Sequence, residues 1–274
     1  MTVIQSIILG IIQGLTEFLP ISSSGHLVVV PYLLKWEIPL EDAFFFDVLV
    51  QVATLLAVIV YFRDDLWKIV RAWIRTLIQR EPYSDPQARL GWNLLLATIP
   101  AGVLGLILKD TVERAFGSPV ATAIFLLITS GLLLLAERIG RKIRRLNELK
   151  PFDALWIGFS QALAIFPGIS RSGATIVGGM SRDLERAAAA RFSFMLSIPI
   201  MLAAGFLATL DLVKHPNLGS LLPVYIPGFI AAAVVGYLTI RWLLNYLIHH
   251  SLIIFSIYVA VLGCAILLLT FIGY

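Results

Sequence analysis

Charge is what this sequence has least of. Only 14% of its 274 residues are Asp, Glu, Lys or Arg, against about 25% in an ordinary soluble domain. Hydrophobic residues make up 59%, and the mean hydropathy is +0.90. That excludes a soluble globular chain and leaves an integral membrane protein with several spans. The apolar runs also lack the two-residue alternation of barrel strands, so the fold class is all-α and polytopic. Cysteine is nearly absent. Cys264 stands alone in an apolar stretch, which rules out an internal disulfide and reads as a small core or lipid-facing residue. With no CxxC or HExxH there is no zinc site to expect, and with no P-loop pattern no ATP-driven work. The N-terminus lacks the basic stretch that opens a signal peptide, so it is expected to stay as structure.

Six stretches are long enough to cross a hydrocarbon core of about 30 Å. They lie near 44–62, 92–109, 119–136, 192–210, 222–241 and 252–272. Two further apolar stretches, near 3–35 and 153–181, are each broken by a Pro/Ser/Gly segment. Lys and Arg crowd into 63–91, 137–151 and 181–191, while the connections near 35–43, 109–118 and 211–221 hold four between them. The positive-inside rule makes the first group cytoplasmic and the second external. Six alternating spans satisfy this only if each broken stretch enters and leaves on one side, as a re-entrant helical hairpin. Residues 1–34 carry no Lys or Arg, which fits an external N-terminus.

The two broken stretches match. Shifted by 148 residues, Gly10, Gln13, Leu15, Phe18, Ile21, Ser22, Ser24 and Gly25 fall on Gly158, Gln161, Leu163, Phe166, Ile169, Ser170, Ser172 and Gly173. The span at 44 lands on the span at 192. The chain therefore reads as one membrane domain, 1–274, with repeat halves of about 1–150 and 151–274. Each half is a hairpin plus three spans. Three is odd, so the second copy is inverted, and inverted repeats place sites near the midplane where broken helices meet. In 63–91, Leu66, Val70, Trp73 and Leu77 share one helical face and Lys68, Arg71 and Arg75 lie off it. This predicts an amphipathic helix on the cytoplasmic leaflet, or failing that a solvated linker helix.

Most acidic and basic residues fall in connections or at span ends. Glu17 and Arg171 do not, and the titratable His26 lies beside Glu17's turn. A charge at membrane depth costs several kcal/mol unless paired or solvated, so these are functional candidates. Each turn has the same construction. Pro20 ends a helix, Ser22, Ser23 and Ser24 can cap the next (about 26–34), and Gly25 permits close backbone approach. The second turn repeats this with Pro167, Gly168, Ser170, Ser172, Gly173 and Thr175. Two helix N-termini facing one another, with the planar fork of Arg171 between them, suit a multiply charged anion such as a diphosphate. Gln13 lies one turn before Glu17 on the same face. A carboxylate beside a phosphate site either repels the ligand or holds a cation that bridges to it, which makes Glu17 and Gln13 candidate ligands for Mg²⁺. Asp47, near the outer end of the first span, is a weaker candidate. His26 can act as base, acid or nucleophile, and its nearness to Ser22 and Ser23 allows an activated serine. An Arg171–Glu17 ion pair that merely ties the turns together would leave the serines, the glycines and His26 unexplained.

"QGLTEFLPISSSGHL" (13–27) and "PGISRSGATI" (167–176) resemble the two signature motifs of the bacitracin-resistance family of undecaprenyl-diphosphate phosphatases. The resemblance covers essentially the whole chain. It implies a bacterial inner-membrane enzyme that hydrolyses the C55 lipid diphosphate to the monophosphate and phosphate. That would recycle the carrier of peptidoglycan synthesis, with the site open to the external, periplasmic side. It implies a divalent cation, Mg²⁺ or Ca²⁺. It makes Glu17 the essential carboxylate and metal ligand, Ser23 the favoured nucleophile with His26 as its partner, and Arg171 the diphosphate clamp. Ser170, Ser172 and Thr175 belong to the second phosphate-binding turn. Gln13 stands where the family has Glu or Gln, and Gln leaves one carboxylate, which disfavours a second metal ion. The partners implied are the lipid substrate and bilayer lipids. No nucleic acid is expected, and a homo-oligomer is compatible with the sequence. The competing class is a transporter or flippase of an anion or lipid phosphate using the same cavity.

Overall fold

Several helix starts are written plainly in the chain. Thr2 and Gln5 form a reciprocal capping box that opens α1 (Val3–Thr16). Asp85 before Pro86 opens α5 (Pro86–Ile107), and Ser118 before Pro119 opens α6 (Pro119–Ile139). Between them lie α2 (Ser23–Leu33), α3 (Leu40–Tyr61) and α4 (Arg63–Ile78). The second half brings α7 (Pro151–Ala162), α8 (Arg171–Met180), α9 (Arg186–Val213), α10 (Leu218–His249) and α11 (Ile253–Phe271). The structure, a computed structural model, describes residues 1–108, 111, 112, 115, 118–213 and 218–272. Lys109, Arg114 and Lys214, three of the four cations in the connections expected outside, lie beyond the described residues.

The fold is all-α. Among the described residues six helices are long and apolar enough to cross a membrane, over Asp42–Tyr61, Pro86–Ile107, Pro119–Ile139, Arg186–Ala203, Leu221–His249 and Ile253–Phe271. They coincide with the six expected spans. Helix α1, of 14 residues, is about 21 Å long at 1.5 Å per residue, and α7, of 12, about 18 Å. Neither reaches across a 30 Å core.

Packing crosses between the halves. Helix α3 lies on α9 and α6 on α11, while α1 lies against α10 and α7 against α5. Small residues allow the last two crossings. A Cβ at Gly10 would collide with the carbonyl of Gly228, and one at Gly158 would lie 2.5 Å from the carbonyl oxygen of Ala97. Overpacking such a crossing costs about 1–3 kcal/mol. Gly10→Ala and Gly158→Ala are therefore each expected to lower the melting temperature in detergent. Gly131→Ala, where a Cβ meets open space, serves as the control that leaves it unchanged. Equal melting of all three would refute close crossing as the reason for these glycines.

The three basic segments gather at one end. Arg191 pairs with Asp65 at 2.8 Å just beyond the end of α3. Arg186 grips Glu137 near the end of α6 with two bonds of 2.7 and 2.6 Å. Arg144 and Arg182 bind the two oxygens of Asp153, at 2.7 and 2.8 Å, at the start of α7. Burial alone would raise the Asp153 carboxyl, but hydrogen bonds from these two guanidinium groups and from Lys150 N–H hold it below the usual carboxylate range. The start of α1 lies at the other end, where the Met1 ammonium is 3.6 Å from Asp42 at the opening of α3. The two short arms, α1 and α7, thus enter the bundle from opposite ends.

Helix α4 forms as expected, but its faces differ from the expected single stripe. Ile69, Ala72 and Thr76 are buried, and Trp73 donates to the Ala88 carbonyl of α5 at 3.0 Å. Trp67, Val70, Ile74 and Leu77 remain exposed, with Arg71 stacked 4.7 Å over Trp67. The helix folds back on α5, so it carries one face for the protein and a second apolar face outward.

Candidate functional site

The site is built where the tips of the two arms meet. After α1 the chain turns through 17–21, and Ser22, at φ +70°, takes a left-handed conformation that is rare for a residue with a side chain. Its hydroxyl caps α2 by accepting from Gly25 N–H at 3.4 Å. Helix α2 therefore starts at Ser23, three residues earlier than the expected 26. Ser23, Ser24 and Gly25 form its first turn, and Ser22 alone is the cap. In the second turn Gly168 has φ +94°, and Ser170 caps α8 by accepting from Gly173 N–H at 3.1 Å. Close approach is real at Gly173, where a Cβ would lie 3.0 Å from that of Ser170 and 3.4 Å from Pro20. At Gly25 the nearest atom would lie 3.4 Å away, an ordinary contact.

Glu17 joins the two turns. Its Oε1 accepts from Arg171 Nη2 at 2.8 Å. Its Oε2 accepts from Ser23 Oγ at 2.7 Å and from Gln13 Nε2 at 3.1 Å. Ser172 Oγ adds a second tie, donating to the Leu19 carbonyl at 2.9 Å. Glu17 is 9% exposed and Arg171 17%, so the pair is largely withdrawn from solvent. Breaking such a pair by removing one partner costs about 3–5 kcal/mol. Three polar side chains of the arms and turns are left over. Arg171 Nη1, Gln13 Oε1 and both amide atoms of Gln161 are buried without a hydrogen-bond partner. The Gln13 amide is oriented by its neighbour, since only the NH₂ can donate to a carboxylate. Buried polar atoms are almost always bonded, so these orphans are candidate contacts for a ligand.

Ser23 and His26 share α2, one turn apart, and the structure bonds each of them to another group. The Ser23 hydroxyl is held by Glu17. His26 Nδ1 lies 2.7 Å from the Ser22 carbonyl, and Nε2 lies 2.7 Å from the Tyr258 hydroxyl. A carbonyl only accepts, so Nδ1 carries a proton, and in the neutral imidazole Nε2 then accepts from the Tyr258 hydroxyl. The hydrogen bond of the Ser23 hydroxyl goes to Glu17, while the imidazole folds back onto the carbonyl that caps its own helix. Thr175 is also less available than expected. Its hydroxyl is 2.6 Å from Ser193 Oγ and donates back to the Arg171 carbonyl at 2.8 Å. It braces α8 against α9. Asp47 makes no hydrogen bond or ion pair with the Glu17 cluster.

With this geometry in hand, comparison is decisive. The profile of the bacitracin resistance protein family, BacA, matches residues 6–265. The chain belongs to the BacA family. It is similar along its length to the undecaprenyl-diphosphatase of Thermomicrobium roseum, 42% identical over 275 residues and covering 98% of each chain. The proteins of the same name from Desulforudis audaxviator and Moorella thermoacetica are 43% and 41% identical, each alignment covering 97% of both chains.

Two residues of this cluster carried little sequence signal. Tyr258 is one aromatic in an apolar span, and it reaches His26 from 232 positions away. Thr129 of α6 accepts from Ser170 N–H at 3.3 Å and donates to the Gly168 carbonyl at 3.2 Å, fixing the second turn. The only hint was a small polar residue inside a span, which commonly marks a helix contact.

Proposed function

We propose that this chain hydrolyses undecaprenyl diphosphate to the monophosphate and orthophosphate. The observation that carries the reading is Glu17, which holds a serine hydroxyl with one oxygen and an arginine with the other, beside buried donors and acceptors that have no partner. The name shared by full-length relatives supports it. An anion carrier has no use for a serine held on a carboxylate.

The chemistry follows from these residues. Arg171 Nη1 and the N-terminal amides of α2 and α8 bind the diphosphate and spread its charge. Ser23 Oγ attacks the terminal phosphorus, and the bond to the bridging oxygen breaks, releasing the lipid monophosphate. Glu17, not His26, is placed to receive the Ser23 proton, because it already accepts that hydroxyl's hydrogen bond. Water then attacks the phosphoserine, orthophosphate leaves, and Ser23 regains its proton. His26 Nε2 serves as the second proton carrier for the water step. Ser22, Ser24, Ser170, Ser172, Gly25 and Gly173 shape the two cradles, and Thr175 braces the second. As in phosphoryl transfer generally, positioning and electrostatics supply most of the rate.

A divalent cation, Mg²⁺ or Ca²⁺, fits the donors present. Gln13 Oε1 is a buried oxygen without a partner beside Glu17. Among the described residues no group of three His, Cys, Asp or Glu could hold a metal. Gln13 and Glu17 would therefore hold the ion jointly with phosphate and water oxygens, the usual arrangement for Mg²⁺. When bound it would neutralise charge on the phosphoryl groups.

Gathered at one end, the basic segments favour a cytoplasmic face there. Helices α1 and α2 then form a re-entrant hairpin from the external side and α7 and α8 one from the cytoplasm, as an inverted repeat. The multi-pass chain sits in the inner membrane with its site reached from outside. The test is phosphate release from undecaprenyl diphosphate by the purified full chain, with Mg²⁺ or Ca²⁺ and with chelator. Steady release that the chelator suppresses is expected. No release under any condition would refute the enzyme reading.

A further inference from the structure

The imidazole of His26 has two nitrogens, and the structure engages them differently. Nδ1 is committed to the Ser22 carbonyl at 2.7 Å, inside its own helix cap. Nε2 is the nitrogen left for proton transfer, and it meets a group from the other half of the chain, the Tyr258 hydroxyl at 2.7 Å. The two rings are also nearly parallel, 9° apart with centroids at 5.7 Å. The two rings thus lie side by side in nearly one plane, the arrangement that points the hydroxyl along the in-plane lone pair of Nε2.

Tyr258 is itself held. Two residues before it on α11, Ser256 Oγ donates to the Ser130 carbonyl of α6 at 2.8 Å, and the two serine hydroxyls lie 2.9 Å apart. One turn beyond it, Gly263 lets α11 approach α6 so closely that a Cβ there would lie 3.1 Å from the Ala123 carbonyl oxygen. The hydroxyl thus comes from a fixed element. Tyr258 is 46% exposed, so packing alone does not account for a tyrosine here.

We infer that Tyr258 is a positioning residue for the reaction. Its hydroxyl donates to Nε2, keeps the proton of neutral His26 on Nδ1, and aims Nε2 as an acceptor until substrate or water takes the hydroxyl's place. This rests on the phosphatase reading above for its catalytic consequence but not for the contact itself. Tyr258→Phe keeps the ring and removes only the hydroxyl.

The experiment uses the purified full chain labelled with ¹⁵N-histidine. Signals are assigned with His26→Gln, and phosphate release is measured in parallel. In the wild type, His26 is expected as the Nδ1–H tautomer with a hydrogen-bonded Nε2. In Tyr258→Phe the Nε2 resonance shifts to that of an unbonded nitrogen. kcat falls about tenfold or more, within what misplacing a general acid or base costs, while KM stays within about twofold. An unchanged Nε2 signal in Tyr258→Phe, or a shifted signal with wild-type kcat, overturns the assignment. A wild type that releases no phosphate refutes the enzyme reading instead, and the spectrum then decides the contact by itself.

Discussion

Arg171→Lys is expected to cut phosphate release from undecaprenyl diphosphate by roughly a hundredfold to a thousandfold, with little change in melting temperature. The reason is the division of labour within one guanidinium. Nη2 is bound to Glu17 at 2.8 Å while Nη1 is buried and unbonded. A planar fork can hold the carboxylate and still present a second donor to a phosphate oxygen. An ammonium is a single point and must choose. Lysine keeps the charge next to Glu17, so the pair survives and the protein folds. Arg171→Ala would instead leave Glu17 as an unpaired buried carboxylate and confound activity with stability. Steady-state rates and thermal melting of the same preparations separate the two. Wild-type activity in Arg171→Lys would show that charge alone is required.

Glu17→Gln is expected to lower kcat by about a thousandfold or more, the scale on which losing a proton acceptor and an electrostatic partner combine. Substitution by glutamine keeps the size and can still accept from Ser23, but it cannot take the serine proton, and it removes the carboxylate that would share a cation with Gln13. Binding is expected to move the other way. With the negative charge gone, the freed Arg171 and the two helix N-termini face the diphosphate without a competitor. The affinity for a non-hydrolysable lipid diphosphate analogue should stay equal or rise, and added Mg²⁺ or Ca²⁺ should not rescue the rate. Loss of analogue binding together with kcat would make Glu17 a structural tie rather than a participant in the reaction.

Much of this was legible in the chain, for physical reasons that differ by element. The six spans announce themselves because a hydrocarbon core demands about twenty apolar residues in a row. The meeting of Glu17 and Arg171 was legible because a charge at membrane depth needs a partner, and few candidates exist. The serine caps showed for the same local reason, since an N-cap is chosen by its own side chain. What remained hidden depended on distant geometry. Nothing near His26 says that its Nδ1 will turn to the Ser22 carbonyl, or that the Ser23 hydroxyl will bond Glu17. Tyr258 looks like any aromatic in a lipid-facing helix. The faces of α4 were misread because an apolar stripe does not say whether protein or lipid will cover it.

The most direct test of a single site made jointly by the two turns is a double-mutant cycle. Phosphate release is measured for the wild type, Glu17→Gln, Arg171→Lys and the double variant under one set of conditions. Residues that act as one unit lose little more together than the worse of them loses alone. The double variant is therefore predicted to match Glu17→Gln within a few fold. Losses that multiply would contradict a site in which Glu17 and Arg171 act as one unit.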